Sequence, residues 1–276
     1  MISVSVIGCG WLGLPLAQTL VTIGYRVKGS TTTLEKIPVL QKAGIFSFVL
    51  NVDSSVKGEG VKDFFESDIV VITLPFRRSF IDPHDYRKQI DAVLAQCKNV
   101  PSIVFTSSTS VYPDHIQTAT EDLDFKPDNE RSKVLRQVEK HVTARNGIVV
   151  RLSGLYGGAR KIGNFLAAKR ELTGGDSPVN LIHQDDAVGI LVKIIEHREK
   201  LSGEIFNASS DIHPTRKELY TAAAKEMNLP VPQFIDEKHV TKKIVVNEKV
   251  KKVLGFRFVH PDPLTAVRSE PLGSDS

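Results

Sequence analysis

The segment Val4-Ser5-Val6-Ile7-Gly8-Cys9-Gly10-Trp11-Leu12-Gly13 constrains this chain more than any other. A β-branched run ends in glycines spaced G-x-G-x-x-G, and the residues that follow carry apolar side chains at helical spacing. Each glycine has a physical task where a strand turns directly into a helix. Gly8 permits the sharp turn, Gly10 lets backbone approach a diphosphate, and Gly13 lets helix and strand pack closely. The helix N-terminus adds unpaired N–H groups and the positive end of its dipole. The pattern predicts a dinucleotide site made by Gly8, Gly10, Trp11, Leu12 and Gly13.

The rest of the chain has the rhythm such a turn requires. Short β-branched runs at Ile2–Ile7, Arg26–Ser30, Ile45–Leu50, Ile69–Thr73, Ser102–Thr106 and Ile148–Leu152 read as strands. Candidate helices lie between them at Trp11–Ile23, Leu34–Lys42, Val61–Glu66, Pro83–Gln96 and Asn129–Arg145. Successive βαβ units predict an α/β fold, a Rossmann-type doubly wound parallel sheet with a small C-terminal substrate lobe. After Gly157 the alternation loosens. Helices are expected near Ile162–Leu172 and Asp185–His197, with a strand at Glu204–Asn207. Thr215, with Glu218 three residues on, forms a capping box before a helix ending near Met227. The expected division is a dinucleotide domain from 1–157 and 181–210, a small lobe from 158–180 and 211–268, and a disordered tail at 269–276.

Composition narrows the partners. Lys and Arg total 36 against 32 Asp and Glu, a net charge of +4 with both signs interspersed. The densest basic run, Lys249 to Lys252 with Lys242-Lys243, reads as a solvated helix face and loop, so nucleic acid is not an expected partner. No window approaches the about 18 unbroken apolar residues of a membrane span. Cys9 and Cys97 show no disulfide spacing, and the N-terminus has no signal-like stretch, so a reducing, cytoplasmic setting is expected. No metal-ligand set is assigned. The expected partner is a small-molecule substrate, and the expected assembly a monomer or homodimer.

The cofactor is expected to be NADP or NAD, with NADP favoured. NAD-preferring proteins usually end the second strand in a carboxylate that binds the ribose hydroxyls. Here that stretch is Val27-Lys28-Gly29-Ser30-Thr31-Thr32-Thr33. Hydroxyls at Ser30, Thr31 and Thr32 beside Arg26 and Lys28 suit an extra phosphate better. Leu74, just past the Ile69–Thr73 strand, completes the cofactor-binding set.

Further motifs follow in order: Thr106-Ser107-Ser108-Thr109-Ser110-Val111-Tyr112, then Glu121, Pro127, Ser132-Lys133 and Glu139. Later come Arg151-Leu152-Ser153-Gly154-Leu155-Tyr156-Gly157, Asn180-Leu181-Ile182-His183-Gln184-Asp185-Asp186 and Leu254-Gly255-Phe256. This series resembles the extended short-chain dehydrogenase/reductases, the NAD-dependent epimerase/dehydratase group, over nearly the whole chain. Two departures resemble an atypical subgroup that includes YeeZ-like proteins. The family's first turn is usually Gly-x-x-Gly-x-x-Gly, whereas Ile7 stands at its first glycine. Counting back from Lys133 places Asn129 at the family's catalytic tyrosine.

The resemblance implies that Ser108 orients substrate and that Lys133 contacts the nicotinamide ribose. In the family an ammonium beside the tyrosine stabilises its phenolate, bringing a group of pKa about 10 toward a general base's working range. Asn129 cannot titrate, although its amide can donate and accept hydrogen bonds. Tyr112 and Tyr156 are the candidate replacement phenols, both also suited to packing. Arg160 is a candidate substrate-anion contact. His183, before a helix capped by Asp185, reads as a structural hydrogen-bonding residue.

Three functions follow from these residues. The first is a nicotinamide-dependent oxidoreductase or epimerase/dehydratase acting on a hydroxyl or carbonyl of a small polar, sugar-nucleotide-like metabolite. The second, motivated by Asn129, is a non-catalytic dinucleotide sensor. The opening turn also resembles that of β-hydroxyacid and 6-phosphogluconate dehydrogenases, which carry a long, mostly helical C-terminal domain; the Ser-Ser-containing strand end and the short tail argue against that reading.

Overall fold

A computed structural model describes residues 1–76, 81–165, 171–236 and 240–269. In chain order the first elements are β1 (Ser3–Ile7), α1 (Gly13–Thr22), β2 (Arg26–Thr31), α2 (Ile37–Lys42), β3 (Phe46–Val52), β4 (Val56–Gly58), α3 (Val61–Phe65) and β5 (Ile69–Ile72). Then come α4 (Pro83–Gln96), β6 (Ser102–Ser108), β7 (Thr118–Ala119), α5 (Glu130–Thr143), β8 (Ile148–Leu152), β9 (Gly154–Tyr156) and β10 (Glu171–Thr173). The series ends with β11 (Leu181–His183), α6 (Gln184–His197), β12 (Ile205–Ala208), α7 (Arg216–Glu226), β13 (Gln233–Asp236), β14 (Ile244–Val245), α8 (Glu248–Leu254) and α9 (Pro263–Ser269).

The main sheet runs β12-β8-β6-β5-β1-β2-β3-β4. β1 pairs in parallel with β2 on one side and β5 on the other, so the strand order reverses at β1. That reversal is where open α/β sheets place ligands, beyond the strands' C-terminal ends. The pairs β2–β3 and β5–β6 are also parallel, and the short β4 turns back antiparallel on β3. Strands covered on both faces should be continuously apolar. β5 is Ile69-Val70-Val71-Ile72, every residue at 0% exposure. Helix α5 shows the complementary pattern, burying Val134, Leu135, Val138 and Val142 at three- and four-residue spacing while Glu130, Lys133 and Lys140 face out.

The chain divides into two compact units. One comprises Met1–Val111, Lys126–Arg151 and Val188–Phe206; the other comprises Tyr112–Phe125, Leu152–Ala187 and Asn207–Ser276. The second unit has its own core of Tyr156, Ile162, Leu172, Leu181, Leu219, Ala223, Ala224 and Ala266. Its α7 starts at the expected box: Thr215 Oγ1 accepts from the Glu218 amide at 3.2 Å, and Glu218 Oε2 accepts from the Thr215 amide at 2.9 Å.

The helix expected near Ile162–Leu172 is corrected. Ile162–Phe165 forms a 3-10 turn and Glu171–Thr173 forms β10, while 166–170 lie outside the described residues. Leu172 pairs laterally with Phe234 of β13, so strand pairing overrides local helix propensity there. Of the tail expected to be disordered, Ser269 closes α9 and 270–276 lie outside the described residues. Two lysines of the basic run pair with carboxylates of the same unit, while Lys242 and Lys252 are exposed. Lys243 meets Asp114 at 2.6 Å, and Lys251 meets Glu248 at 2.8 Å and Asp211 at 3.0 Å.

Candidate cofactor and active site

Gly8 adopts φ +99°, a left-handed conformation glycine enters without steric cost. Its amide donates to Ser30 Oγ at 3.0 Å, and the Cys9 amide donates to Ser30 O at 2.8 Å, tying the turn to the C-terminal end of β2. On the other side, Thr73 Oγ1 lies 3.1 Å from Ile7 O and 2.8 Å from Gly8 O, sharing its proton between them. Thr73 was read only as the end of a strand. No sequence pattern announced that it clasps the turn.

The glycines differ in what surrounds them. A Cβ on Gly13 would lie 2.3 Å from Gly8 O and 2.7 Å from Thr73 Oγ1, so α1 closes on the turn only because no side chain stands there. A Cβ on Gly10 would meet nothing nearer than Gly8 O at 4.0 Å. The backbone at Gly10 therefore faces open space. The helix begins at Gly13, with Leu12 supplying no side-chain cap and no acidic residue in its first turn. Uncapped N–H groups beside an open glycine face fit a diphosphate. Trp11 and Leu12 lie in the same turn, Leu12 being buried and Trp11 half-buried.

At the end of β2, Ser30 and Thr31 are buried and Thr32 is exposed. The roles expected of Arg26 and Lys28 need correction. Arg26 opens the strand and covers the Phe46 ring at 5.1 Å. Lys28 donates to Asp63 O and, at 2.7 Å, to Glu66 O, the carbonyls where α3 ends. A lysine there complements the helix's negative end. Neither cation stands at the C-terminal end of β2. A cation whose charge reaches Cys9 beside that end is Lys36, exposed in the 3-10 turn Leu34–Lys36. Burial pushes the Cys9 thiol up to about 12, opposed by the Ser30 backbone bond and the Lys36 charge.

Asn129 is the N-cap of α5. Its side chain accepts from the Ser132 amide at 2.9 Å, Ser132 Oγ accepts from the Asn129 amide at 3.3 Å, and Asn129 Nδ2 donates to Asp128 at 2.8 Å. The amide serves the helix start, where asparagine is among the best residues. One turn on, Lys133 Nζ donates to Glu130 Oε1 at 2.5 Å, both side chains being exposed. That bond is the main reason the Glu130 carboxyl is held below its ordinary range. Ser108 closes β6, half-buried, with its Oγ accepting from the Ser110 amide at 3.1 Å.

The preceding residue, Ser107, reaches a buried charge pair. Arg151 Nε and Nη2 donate to the two oxygens of Glu139 at 2.9 and 2.7 Å, and Ser107 Oγ adds a bond to Glu139 Oε1 at 2.6 Å. Arg151 is 0% and Glu139 1% exposed. The fork joins β6, α5 and β8, the elements that carry Ser108 and Lys133. A second cluster fixes the segment after β5. Arg131 lies 3.8 Å over the Phe76 ring, Phe76 stacks on Tyr86 at 4.3 Å, and Tyr86 donates to Leu74 O at 3.0 Å. The aromatic pair was missed because its members sit ten residues apart, outside any helical or strand period.

In the second unit Tyr112 is buried, its hydroxyl 2.9 Å from both Thr120 O and Asn207 Oδ1. Tyr156 is equally buried and meets His183 edge-on at 5.1 Å. Arg160 is exposed and closes a tight turn over Gly158-Ala159, its backbone exchanging hydrogen bonds with Gly157 at 3.0 and 3.1 Å. The expected cap of α6 is also corrected. The helix starts at Gln184, and His183 Nδ1 accepts from the Asp185 amide at 3.2 Å, so His183 rather than Asp185 caps it. Among the described residues no helix is long and apolar enough to cross a membrane.

No protein-family model matches the chain. It is 33% identical to Protein YeeZ of Escherichia coli (strain K12), over 96% of this chain and 98% of that protein. Among solved structures it is similar to the UDP-Glc/GlcNAc 4-epimerase of Campylobacter jejuni, with TM-score 0.80, 15% identity and 98% of both chains covered. UDP-glucuronic acid 4-epimerase from Bacillus cereus, in complex with NAD, gives TM-score 0.77, 18% identity and coverage of 98% and 97%. A functionally unknown conserved protein from Silicibacter pomeroyi gives TM-score 0.77, 21% identity and 98% of both chains.

Proposed function

Because the chain belongs to the YeeZ family, within the NAD-dependent epimerase/dehydratase and short-chain dehydrogenase/reductase group, we propose that it binds a nicotinamide dinucleotide and acts on a small polar metabolite. The supporting observation is the glycine turn, whose open Gly10 backbone and uncapped helix start fit a diphosphate. When bound, such a cofactor carries a hydride. The chain's own part is to bind and orient. Gly8, Gly10, Trp11, Leu12 and Gly13 hold the diphosphate, Leu74 flanks the cofactor, and Ser108 orients a sugar-nucleotide-like substrate; in the second unit Arg160 is the candidate contact for a substrate anion. The reaction class is oxidation or reduction of a hydroxyl or carbonyl, as in an epimerase or dehydratase.

The cofactor is proposed to be NADP rather than NAD. Ser30, Thr31 and Thr32 put hydroxyls and no carboxylate at the end of β2, and Lys36 brings positive charge to that end. Fluorescence titration with NADPH and NADH tests both statements. Tighter NADPH binding, weakened in Lys36→Ala, is expected; failure to bind either dinucleotide would overturn the whole reading. Turnover is then assayed on a panel of nucleotide sugars and simple carbonyls.

A second reading, a non-catalytic dinucleotide sensor, draws on Asn129 capping α5 and Lys133 pairing with Glu130. Asn129→Tyr distinguishes the two. If only a phenol is missing, the variant gains oxidoreductase activity, while its lost cap costs about 1 kcal/mol of stability. Unchanged inactivity in a folded variant that still binds dinucleotide favours the sensor.

A further inference from the structure

Three side chains of the second unit converge outside the residues assigned above. His183 ends β11, Asp185 lies in the first turn of α6, and His260 lies in the segment between α8 and α9. His183 Nδ1 is 3.5 Å from Asp185 Oδ2, and His260 Nε2 is 3.4 Å from the same oxygen. All three ligand atoms fall within 4.8 Å of one another. Bonds of about 2.0–2.1 Å at tetrahedral angles place ligand atoms about 3.3 Å apart, so both measured edges are close to those of a bound ion.

The hydrogen bonding identifies the ligating nitrogen. His183 Nδ1 accepts from the Asp185 amide at 3.2 Å, so it is the ring nitrogen carrying the lone pair. Ligation turns that lone pair from the amide to the ion, and the ion likewise takes the place of the 3.4 Å contact between His260 Nε2 and Asp185 Oδ2. The histidine rings lie 3.7 Å apart between centroids, at 37°. The backbone of the third ligand is also fixed: Asp186, wholly buried, accepts from the Val259 and His260 amides at 2.7 and 3.0 Å. Access is open, because the Asp185 side chain is 66% and the His260 side chain 26% exposed.

We propose that His183, Asp185 and His260 bind a divalent transition-metal ion of the zinc class, with a fourth position open to solvent. Two imidazoles and one carboxylate suit such an ion and not calcium or magnesium, which take oxygen ligands. The ion ties the segment before α9 to the first turn of α6. A positive charge at a helix N-terminus is ordinarily unfavourable, and here the acidic first turn of Asp185 and Asp186 offsets it.

The test uses the full chain without a histidine tag, stripped with chelator. Equilibrium dialysis with Zn2+ should give one equivalent bound, and Co2+ should give the strong ligand-field absorption of a four-coordinate site. The melting temperature should rise with Zn2+. Asp185→Asn, at an exposed position, and His260→Gln, which keeps a side chain against His183, should fold without metal and weaken Zn2+ binding by roughly tenfold or more. No saturable Zn2+ binding in the micromolar range would overturn the proposal. So would binding left undiminished in both variants.

Discussion

Gly10 and Gly13 stand three residues apart in one turn, yet their replacement by alanine should produce opposite failures. In Gly10→Ala the new Cβ meets no protein atom nearer than 4.0 Å, and the residue's φ lies outside the left-handed region. Folding should be unharmed, and the loss of glycine's freedom in the unfolded chain should add about 0.4–1 kcal/mol of stability. The same methyl group occupies the space a diphosphate oxygen needs to reach backbone N–H. Each charge-assisted bond so lost weakens binding by about 1.5–3 kcal/mol, or about tenfold to a hundredfold in Kd. In Gly13→Ala the Cβ falls 2.3 Å from a backbone carbonyl oxygen, about 1 Å inside contact, and neither backbone can swing aside. Overpacking of this kind costs about 1–3 kcal/mol, lowering the melting temperature by several degrees. Scanning fluorimetry and NADPH titration on the two variants separate these effects. If Gly10→Ala binds dinucleotide as tightly as the parent, the open backbone face is not the diphosphate site.

Two further outcomes follow from buried groups. Glu139→Gln leaves the Arg151 guanidinium buried without its carboxylate, so urea unfolding should show a loss of about 3–5 kcal/mol; a loss under about 1 kcal/mol would refute the buried fork. Burial pushes both Cys9 and Cys97 up to about 12, so at pH 8 almost no thiolate exists in the folded protein. A disulfide reagent at pH 8 should titrate no fast thiol in the native protein and two after denaturation. Rapid reaction of Cys9 before unfolding would show that the glycine turn opens.

What could be read from the sequence is what rests on neighbouring residues. The β1 turn, the four buried apolar residues of β5 and the Thr215–Glu218 box are each set by spacings of a few positions, and each stands where expected. What escaped depends on partners far away in the chain. Leu172 is a strand residue because Phe234 lies beside it, although Ala167-Ala168-Lys169-Arg170-Glu171-Leu172 has good helix propensity. β7 and β14 pair over two residues each, too few for any period to register. Lys28 looked like a phosphate ligand until its carbonyl partners, more than thirty residues on, came into view. His260 carried no signal of its own, because Asp185 and His183 lie 75 and 77 residues earlier.

The clasp of Thr73 on Ile7 and Gly8, with Ser30 holding the far side, bears on how fast a ligand could be captured. The turn holds its curvature through bonds made within the protein, so a guest need not mould it. Association should then be limited by encounter and orientation and not by loop rearrangement, and the rate should rise in proportion to ligand concentration without levelling off. Cutting the clasp with Thr73→Val would convert a rigid cradle into one that must first find its shape.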